Sequence, residues 1–480
     1  MAVCFRYFCP LVVLCCALSP SSIIAAEKHA ASKPNIILCM ADDQGWGDMA
    51  YYGHPKLKTP NFDAMAKAGL RFDRFYAAAP VCSPTRGSVL TGRTPNRFGC
   101  FQWGNSLRPQ EITVAEALKT AGYTTGHFGK WHLGSVRNGS PVNPGNSGFD
   151  EWLSAENFYD NDPVLSHQGV AVKLKGESSQ IAVDAALKFI RKQVQAEQPF
   201  LAVVWFGSPH SPHRASEHDR ALYKDEKPNF QNFYGEITGM DRAFGKLRDE
   251  LQTLKIKENT LLWYCSDNGG LRRVGSTGGR EFKGKIYEGG LRVPAILEWP
   301  ARFSKPRITN IPCFTADIYP TLLEITGVTV KQQPPLDGIS LLPLIDNKMK
   351  ARDKPIGFWN YPVRGIGTPS DKLMKDLFKA QAAGKEDELP ASFLRKDAAK
   401  IKRQYPLDTF PGHAAWLDWP FKLHRIEAKQ KVRYELYNLA DDPEETTDLS
   451  TKQSERVKLM KAALQTWQTS VVNSLNGKDY

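Results

Sequence analysis

Cys82 and Arg86 stand four residues apart in Cys82-Ser83-Pro84-Thr85-Arg86-Gly87, just ahead of Leu90-Thr91-Gly92. A thiol beside a fixed positive charge, in a turn entering a helix, is a candidate activated centre because the local field favours an anion there. A buried structural thiol is the plainer alternative. Further clusters carry chemistry of their own. Asp42 and Asp43 are adjacent carboxylates; like charges so close repel, and a hard cation relieves that repulsion. Asp267 and Asn268 add two oxygen donors, and four hard oxygens point to calcium or magnesium rather than zinc. Lys130 and His132 are two residues apart. On one face of an extended segment they would set a cation beside a titratable imidazole, which suits an anion. His210 and His213 fall among Pro209 and Pro212; a zinc pair there would lack a nearby Cys or third His. Lys283 lies in a Gly- and Arg-rich loop that runs to Glu288-Gly289-Gly290. Each cluster has a structural alternative: a solvated acidic turn, a surface lysine, a core histidine.

These residues need elements to bring them together. Asn35–Met40 is a continuous apolar run that reads as a strand buried on both faces, and it ends at Asp42-Asp43. Pro199–Phe206 and Thr260–Cys265 read the same way and end at His210 and at Asp267-Asn268. A passage over Tyr123–Phe128 delivers Lys130 and His132. Ligands in open α/β sheets sit at the carboxyl ends of such strands. Between them, Thr59-Pro60 starts a helix that Gly69 ends, and Thr113 with Glu116 forms a capping box. Helical spacing covers 178–197, 231–254 and 314–327, and Val293–Trp299 reads as a strand. Several βα units with one functional edge predict a mostly parallel sheet with helices on both faces. Past about residue 345 the character changes. A charged, Ala- and Lys-rich insert over 371–404 is expected to be helical and exposed. Short strands are expected at Trp416–Ile426 and Tyr434–Leu439, with a final amphipathic helix over 453–473. His413 falls in a loop there that could reach the pocket rim.

The bulk properties fit a large α/β domain with an appendage: 480 residues, 41% hydrophobic and 24% charged. Net charge is +12, which favours anionic partners. No Lys/Arg run with interleaved aromatics appears, so a nucleic-acid partner is not expected. Phe8–Leu18 followed by Ile24-Ala25-Ala26 reads as an export signal over 1–26, too short to span a bilayer comfortably. The mature chain is then expected outside the cytoplasm, secreted or periplasmic, or of lysosomal type in a eukaryote, with no stable membrane span. Five cysteines remain after the signal: Cys39, Cys82, Cys100, Cys265 and Cys313. Their scatter predicts neither a zinc site nor a disulfide frame.

Cys82-Ser83-Pro84-Thr85-Arg86 with Leu90-Thr91-Gly92 resembles the signature of the type I sulfatases. Asp42-Asp43, Gly129-Lys130-Trp131-His132, Ser266-Asp267-Asn268-Gly269 and Lys283 before Glu288-Gly289-Gly290 fall in that family's order. The resemblance implies an alkaline-phosphatase-like α/β sandwich over 27–345 and a smaller C-terminal subdomain over 346–480, an antiparallel sheet with a covering helix. It implies oxidation of Cys82 to formylglycine by a formylglycine-generating or anaerobic sulfatase-maturating enzyme, and a calcium held by Asp42, Asp43, Asp267, Asn268 and residue 82. Arg86 would hold the aldehyde hydrate, Lys130 and Lys283 would clamp sulfate, His132 would take a proton from the second hydroxyl, and His210 with Asp267 would protonate the leaving alcohol. The substrate implied is a sulfated carbohydrate or aryl sulfate. Tyr76, Arg93 and Trp152 lie in stretches similar to sulfatases of galactosamine-6-sulfate-type glycans and to arylsulfatase A-like enzymes. A phosphate or phosphonate ester hydrolase on the same scaffold and a non-catalytic binder of sulfated glycans are the alternatives.

Overall fold

Asn35–Ala41 (β1) is buried from Ile36 onward because strands flank it on both sides and helices cover both faces. Among the strands of a computed structural model, which describes residues 1–4, 33–429 and 431–480, it occupies the centre of the larger sheet. The expected export signal over 1–26 lies, apart from Met1–Cys4, outside the described residues. The other strands of this sheet are β2 (Leu70–Tyr76), β3 (Thr124–Lys130), β4 (Glu151–Ala155), β5 (Val164–His167), β6 (Val170–Lys173), β7 (Phe200–Trp205), β8 (Thr260–Ser266), β9 (Arg292–Glu298), β10 (Arg307–Thr309) and β11 (Cys313–Phe314). Their order is β10-β2-β9-β8-β1-β7-β3-β4-β5-β6, with β11 also on β2. The middle five, β8-β1-β7-β3-β4, run parallel. β9 is antiparallel to both β8 and β2, and β5 and β6 close the other edge as antiparallel strands.

Strand alternation sorts the core. Ile37, Cys39 and Ala41 face α1 (Pro60–Ala68), α4 (Ser178–Gln195) and α5 (Pro228–Thr253). Ile36, Leu38 and Met40 face the opposite layer, which holds α2 (Cys82–Thr91), α3 (Val114–Lys119) and α6 (Ile318–Thr326). Each such side chain, fully buried, contributes roughly 1.5–3 kcal/mol. The capping box of α3 is present in both directions: Glu116 N donates to Thr113 Oγ1 at 3.1 Å, and Thr113 N donates to Glu116 Oε2 at 2.7 Å.

The C-terminal part departs from its sequence expectation in two places. The insert is α-helical only over Ser370–Ala382 (α7), where Met374 and Leu377 enter the main core instead of facing solvent; beyond it come short 3-10 turns at Glu386–Glu388 and Ala391–Leu394, on either side of Pro390. The expected single strand at 416–426 is a hairpin, because Trp419-Pro420 turns the chain between β13 (His413–Asp418) and β14 (Phe421–Ala428). β15 (Lys431–Asn438) pairs with β14, and β12 (Ile356–Asn360), unmarked in the sequence reading, pairs with β13. The four-stranded antiparallel sheet carries α8 (Ser454–Leu475) against it through Trp359, Ala414, Leu464, Val471 and Val472. No helix of the described residues is long and apolar enough to cross a membrane.

Candidate active site

Four strand ends and one helix start meet at the carboxyl edge of the parallel sheet. β1 delivers Asp42 and Asp43, β8 delivers Asp267 and Asn268, β3 ends on Lys130, and β7 leads into the loop of His210. α2 begins at Cys82, and all ten of its residues are buried. Thr85 secures its entry: Oγ1 accepts from Ala79 N at 3.1 Å and donates to Ala79 O at 2.9 Å. Lys283 arrives on a loop stitched at both ends. Its N donates to Gly270 O, and Gly284 N donates to Pro80 O, two residues before Cys82. The glycine pairs 269–270 and 289–290 allow this, since a Cβ on Gly269 would lie 2.1 Å from Gly289 O.

The charged groups interlock. Lys130 Nζ donates to Asp42 Oδ2 at 2.7 Å. Lys283 Nζ straddles Asp43 at 2.6 and 2.7 Å. Arg86 donates Nε and Nη2 to Asp267 Oδ2 at 3.1 and 2.7 Å and Nη1 to Lys130 O at 3.3 Å. Asp43 N donates to Asp267 Oδ1 at 3.1 Å, and Asn268 Nδ2 donates to Asp43 Oδ1 at 2.9 Å. Three carboxylates thus face three fixed cations in a water-excluded cluster. Burial pushes Asp42 up to about 8 despite Lys130, with Asp267 and Asp43 adding to the rise. Burial also acts upward on Asp43, but Lys283, His210 and Lys130 outweigh it and hold that carboxyl below its usual range.

Sequence order alone misplaced several details. Burial raises the Cys82 thiol against the pull of Lys130 and Lys283, so desolvation wins over the local field and the residue is not a thiolate centre. Lys130 and His132 do not share a strand face: β3 stops at Lys130, and His132 sits at φ 55°. His132 is buried with both ring nitrogens unpartnered, and desolvation holds its pKa well below the ordinary value. His210 stands beside Asp43, Nε2 to Oδ2 at 3.7 Å, rather than beside Asp267, whose oxygens are taken by Arg86 and the Asp43 amide. Its Nδ1 lies 2.6 Å from Ser211 O, Phe158 stacks on its ring at 4.4 Å, and burial lowers it to about 3. His213 lies apart, 3.4 Å from Glu236. His413 opens β13 rather than occupying a loop, and its Nε2 meets His424 Nδ1 at 2.9 Å.

That last contact belongs to a buried buttress the sequence did not mark. His424 Nε2 lies 2.8 Å from Glu445 Oε1. Lys422 Nζ bridges Glu445 and Glu288 at 3.1 and 3.0 Å, and Tyr76 donates to Glu288 Oε2 at 3.0 Å. It supports the turn after Lys283 from the small sheet. Its residues come from β2, β13, β14, the short helix Glu288–Leu291 and the loop of Glu445, so no local spacing announces them. The described cysteines, Cys4, Cys39, Cys82, Cys100, Cys265 and Cys313, are free thiols.

The donor set fits a hard divalent cation. Asp42 Oδ1 and Asn268 Oδ1 are buried without hydrogen-bond partners, a costly state for lone pairs unless an ion or donor meets them. Asp42, Asp43 and His210 also place ligand atoms within 4.8 Å of one another. Oxygen predominates, as calcium and magnesium require.

The sulfatase family profile matches residues 34–328. N-acetylgalactosamine-6-sulfatase of Canis lupus familiaris is 34% identical over 369 residues, covering 69% of each chain. Arylsulfatase A of Homo sapiens is 32% identical over 406 residues, 76% of this chain and 78% of that one. The crystal structure of Ps i-CgsB in complex with k-i-k-neocarrahexaose superposes with a TM-score of 0.76 at 25% identity, over 93% of this chain and 94% of the other. Sequence and architecture agree over most of the length, and the edge of the sheet holds cations, carboxylates and Cys82 where an anionic ester can be met: the chain belongs to the sulfatase family and is a sulfuric ester hydrolase.

Proposed function

We propose that the protein hydrolyses a sulfate ester of a sulfated glycan of galactosamine-6-sulfate type, after conversion of Cys82 to formylglycine and with calcium at the acidic cluster. The observation that carries this reading is Cys82 buried among Lys130, Lys283 and Arg86 next to the two unpartnered oxygens of Asp42 and Asn268. The aldehyde, when hydrated, supplies a hydroxyl nucleophile for sulfur and a second hydroxyl whose loss of a proton expels sulfate. Calcium, held by Asp42, Asp43 and Asn268 with Asp267 alongside, supplies charge that offsets the sulfate oxygens. Lys130 and Lys283 contribute two point charges for those oxygens, and Arg86, held by Asp267, adds a fixed positive charge near residue 82. His132 offers an unpartnered ring nitrogen to a proton from residue 82, and His210, protonated once an anionic sulfate is bound beside it, would give its Nε2 proton to the leaving alcohol.

The relationship to N-acetylgalactosamine-6-sulfatase supports the sugar class. Burial also bears on maturation. Cys82 is 2% exposed and Arg86 0%, so a maturation enzyme reaches this motif only before the chain folds. Read as an export signal, residues 1–26 support a mature protein outside the cytoplasm.

The test is the mass of the peptide spanning residue 82, followed by turnover of a chromogenic aryl sulfate. Thiol converted to aldehyde, with sulfate cleaved faster than the matching phosphate ester, is the expected result. Aldehyde-bearing protein that turns over no sulfate ester refutes the catalytic reading; faster phosphate turnover assigns it to phosphoester chemistry.

A further inference from the structure

A cavity of about 490 Å³ lies between the 98–108 segment and the 363–405 insert. Its lining carries Arg108, Arg364, Arg395, Lys400, Lys402 and Arg403 against one carboxylate, Asp397. Among the described residues only Lys402 of these six is paired with an acid, 2.5 Å from Asp397. Arg108 is innermost at 8% exposure. Its Nη2 donates to Leu475 O at 2.9 Å, while Nη1 is buried and has no hydrogen-bond partner. Arg364, Lys400 and Arg403 are exposed, and the Arg403 guanidinium packs over the Tyr405 ring at 4.2 Å. Phe101 and Tyr405 add ring faces to the same wall. So many like charges in one concavity repel one another, and the fold supplies one carboxylate to offset them; an anionic ligand relieves the rest.

The cavity adjoins the active site through continuous backbone. Ile366, on its wall, donates from N to Trp103 O at 2.9 Å. The next residue, Gly104, donates from N to Ser83 Oγ at 2.9 Å, directly beside Cys82. A small polar crevice is lined by His132, Glu156, Thr368 and Arg395, so Arg395 belongs to both the cavity and the surroundings of His132.

We propose that this cavity is a second anion subsite, which binds a sulfate or carboxylate on a neighbouring sugar of the glycan whose reacting ester sits at residue 82. The inference rests on the sulfatase reading and deepens it: the substrate is an oligosaccharide with several negative charges, not a single sulfated sugar. Arginine forks match sulfate and carboxylate in two-point geometry.

The test uses the full chain in two forms. In the first, Cys82→Ala protein, which cannot turn over, is titrated calorimetrically with a tetrasaccharide sulfated on every disaccharide and with a monosulfated monosaccharide. The triple replacement Arg364→Ser, Lys400→Ser, Arg403→Ser is compared with a control of equal charge change, Lys175→Ser, Lys188→Ser, Lys458→Ser, all exposed and outside the cavity. The expected result is about tenfold weaker tetrasaccharide binding for the cavity triple only. Equal weakening in both triples assigns the effect to long-range charge and overturns the subsite, as does tetrasaccharide affinity no greater than that of the monosaccharide. In the second form, the aldehyde-bearing enzyme should show the same about tenfold drop in the ratio of kcat/KM for tetrasaccharide over monosaccharide. Binding that responds as expected, without turnover of any sulfate ester, would sink the catalytic reading and leave the anion subsite standing.

Discussion

Arg86 shows how much a single side chain decides here. It is wholly buried, and three of its nitrogens are committed to Asp267 and to the Lys130 carbonyl. Removing it strands the Asp267 carboxylate without its cation. Arg86→Ala is expected to lower stability by about 3–5 kcal/mol, read from the shift in urea midpoint at constant slope; an unchanged midpoint would show that Asp267 is satisfied some other way. Glu156 allows a pH test away from the acidic cluster. Burial raises it to about 7, despite hydrogen bonds from Ser135 Oγ at 2.6 Å and Val136 N at 3.3 Å. The folded chain therefore keeps a proton that the unfolded chain releases above its ordinary pKa of about 4.3. Folding takes up that proton, so this contribution is complete below about 4.3, declines as pH rises and is gone above about 7. Glu156→Gln retains the acceptor and removes the titration. Its stability relative to wild type should climb across that window by on the order of 3 kcal/mol, followed as the unfolding midpoint from pH 4 to 8. Parallel profiles would contradict the assignment.

At the scale of elements, the long apolar runs were legible because a strand buried on both faces leaves no other pattern. Four of the five parallel strands, β1, β3, β7 and β8, fall where the runs lie, each within one or two residues; β4 was not read as a strand. What escaped were elements whose residues are chosen by distant partners. β12 holds Gly357, over which the Trp467 ring of α8 lies so closely that a Cβ would meet it at 2.4 Å. Gly357→Ala should push α8 off the small sheet and cost about 1–3 kcal/mol. Trp467→Leu in the same chain should relieve much of that loss, so the two changes together should cost less than their sum, as measured by thermal unfolding of both singles and the double. Strict additivity would mean the ring and the strand are not coupled. α7 was legible as a helix, but its burial escaped for the same reason. Its charged sequence reads as solvent-facing, yet Met374 and Leu377 have a core to enter.

For the whole molecule, the oxygen cluster links ligand binding to global stability. A cation that meets Asp42 Oδ1 and Asn268 Oδ1 binds only where β1 and β8 are side by side, hence only in the folded chain. Calcium at a hundred times its dissociation constant is expected to stabilise the protein by about 2.7 kcal/mol over chelator-treated protein. Thermal midpoints against calcium concentration test this without reference to activity, and an unmoved midpoint at saturating calcium would count against a hard-cation site.

The order of the motifs, the strand identities and the residue types of the active cluster follow from the amino-acid sequence alone. Periodicity, capping and turn chemistry act within a few residues, and the catalytic-type groups sit in the turns where strands end. Tertiary structure alone decided the pairings: Asp267 with Arg86 rather than with His210, His210 with Asp43, and Tyr76, Glu288, Lys422, His424 and Glu445 as one buried buttress. It also decided that Cys82 is a desolvated thiol rather than an activated one. The physical reason is common to all of these. Burial and charge at a point depend on what other segments bring there, some of them more than two hundred residues away, and no local pattern encodes that sum.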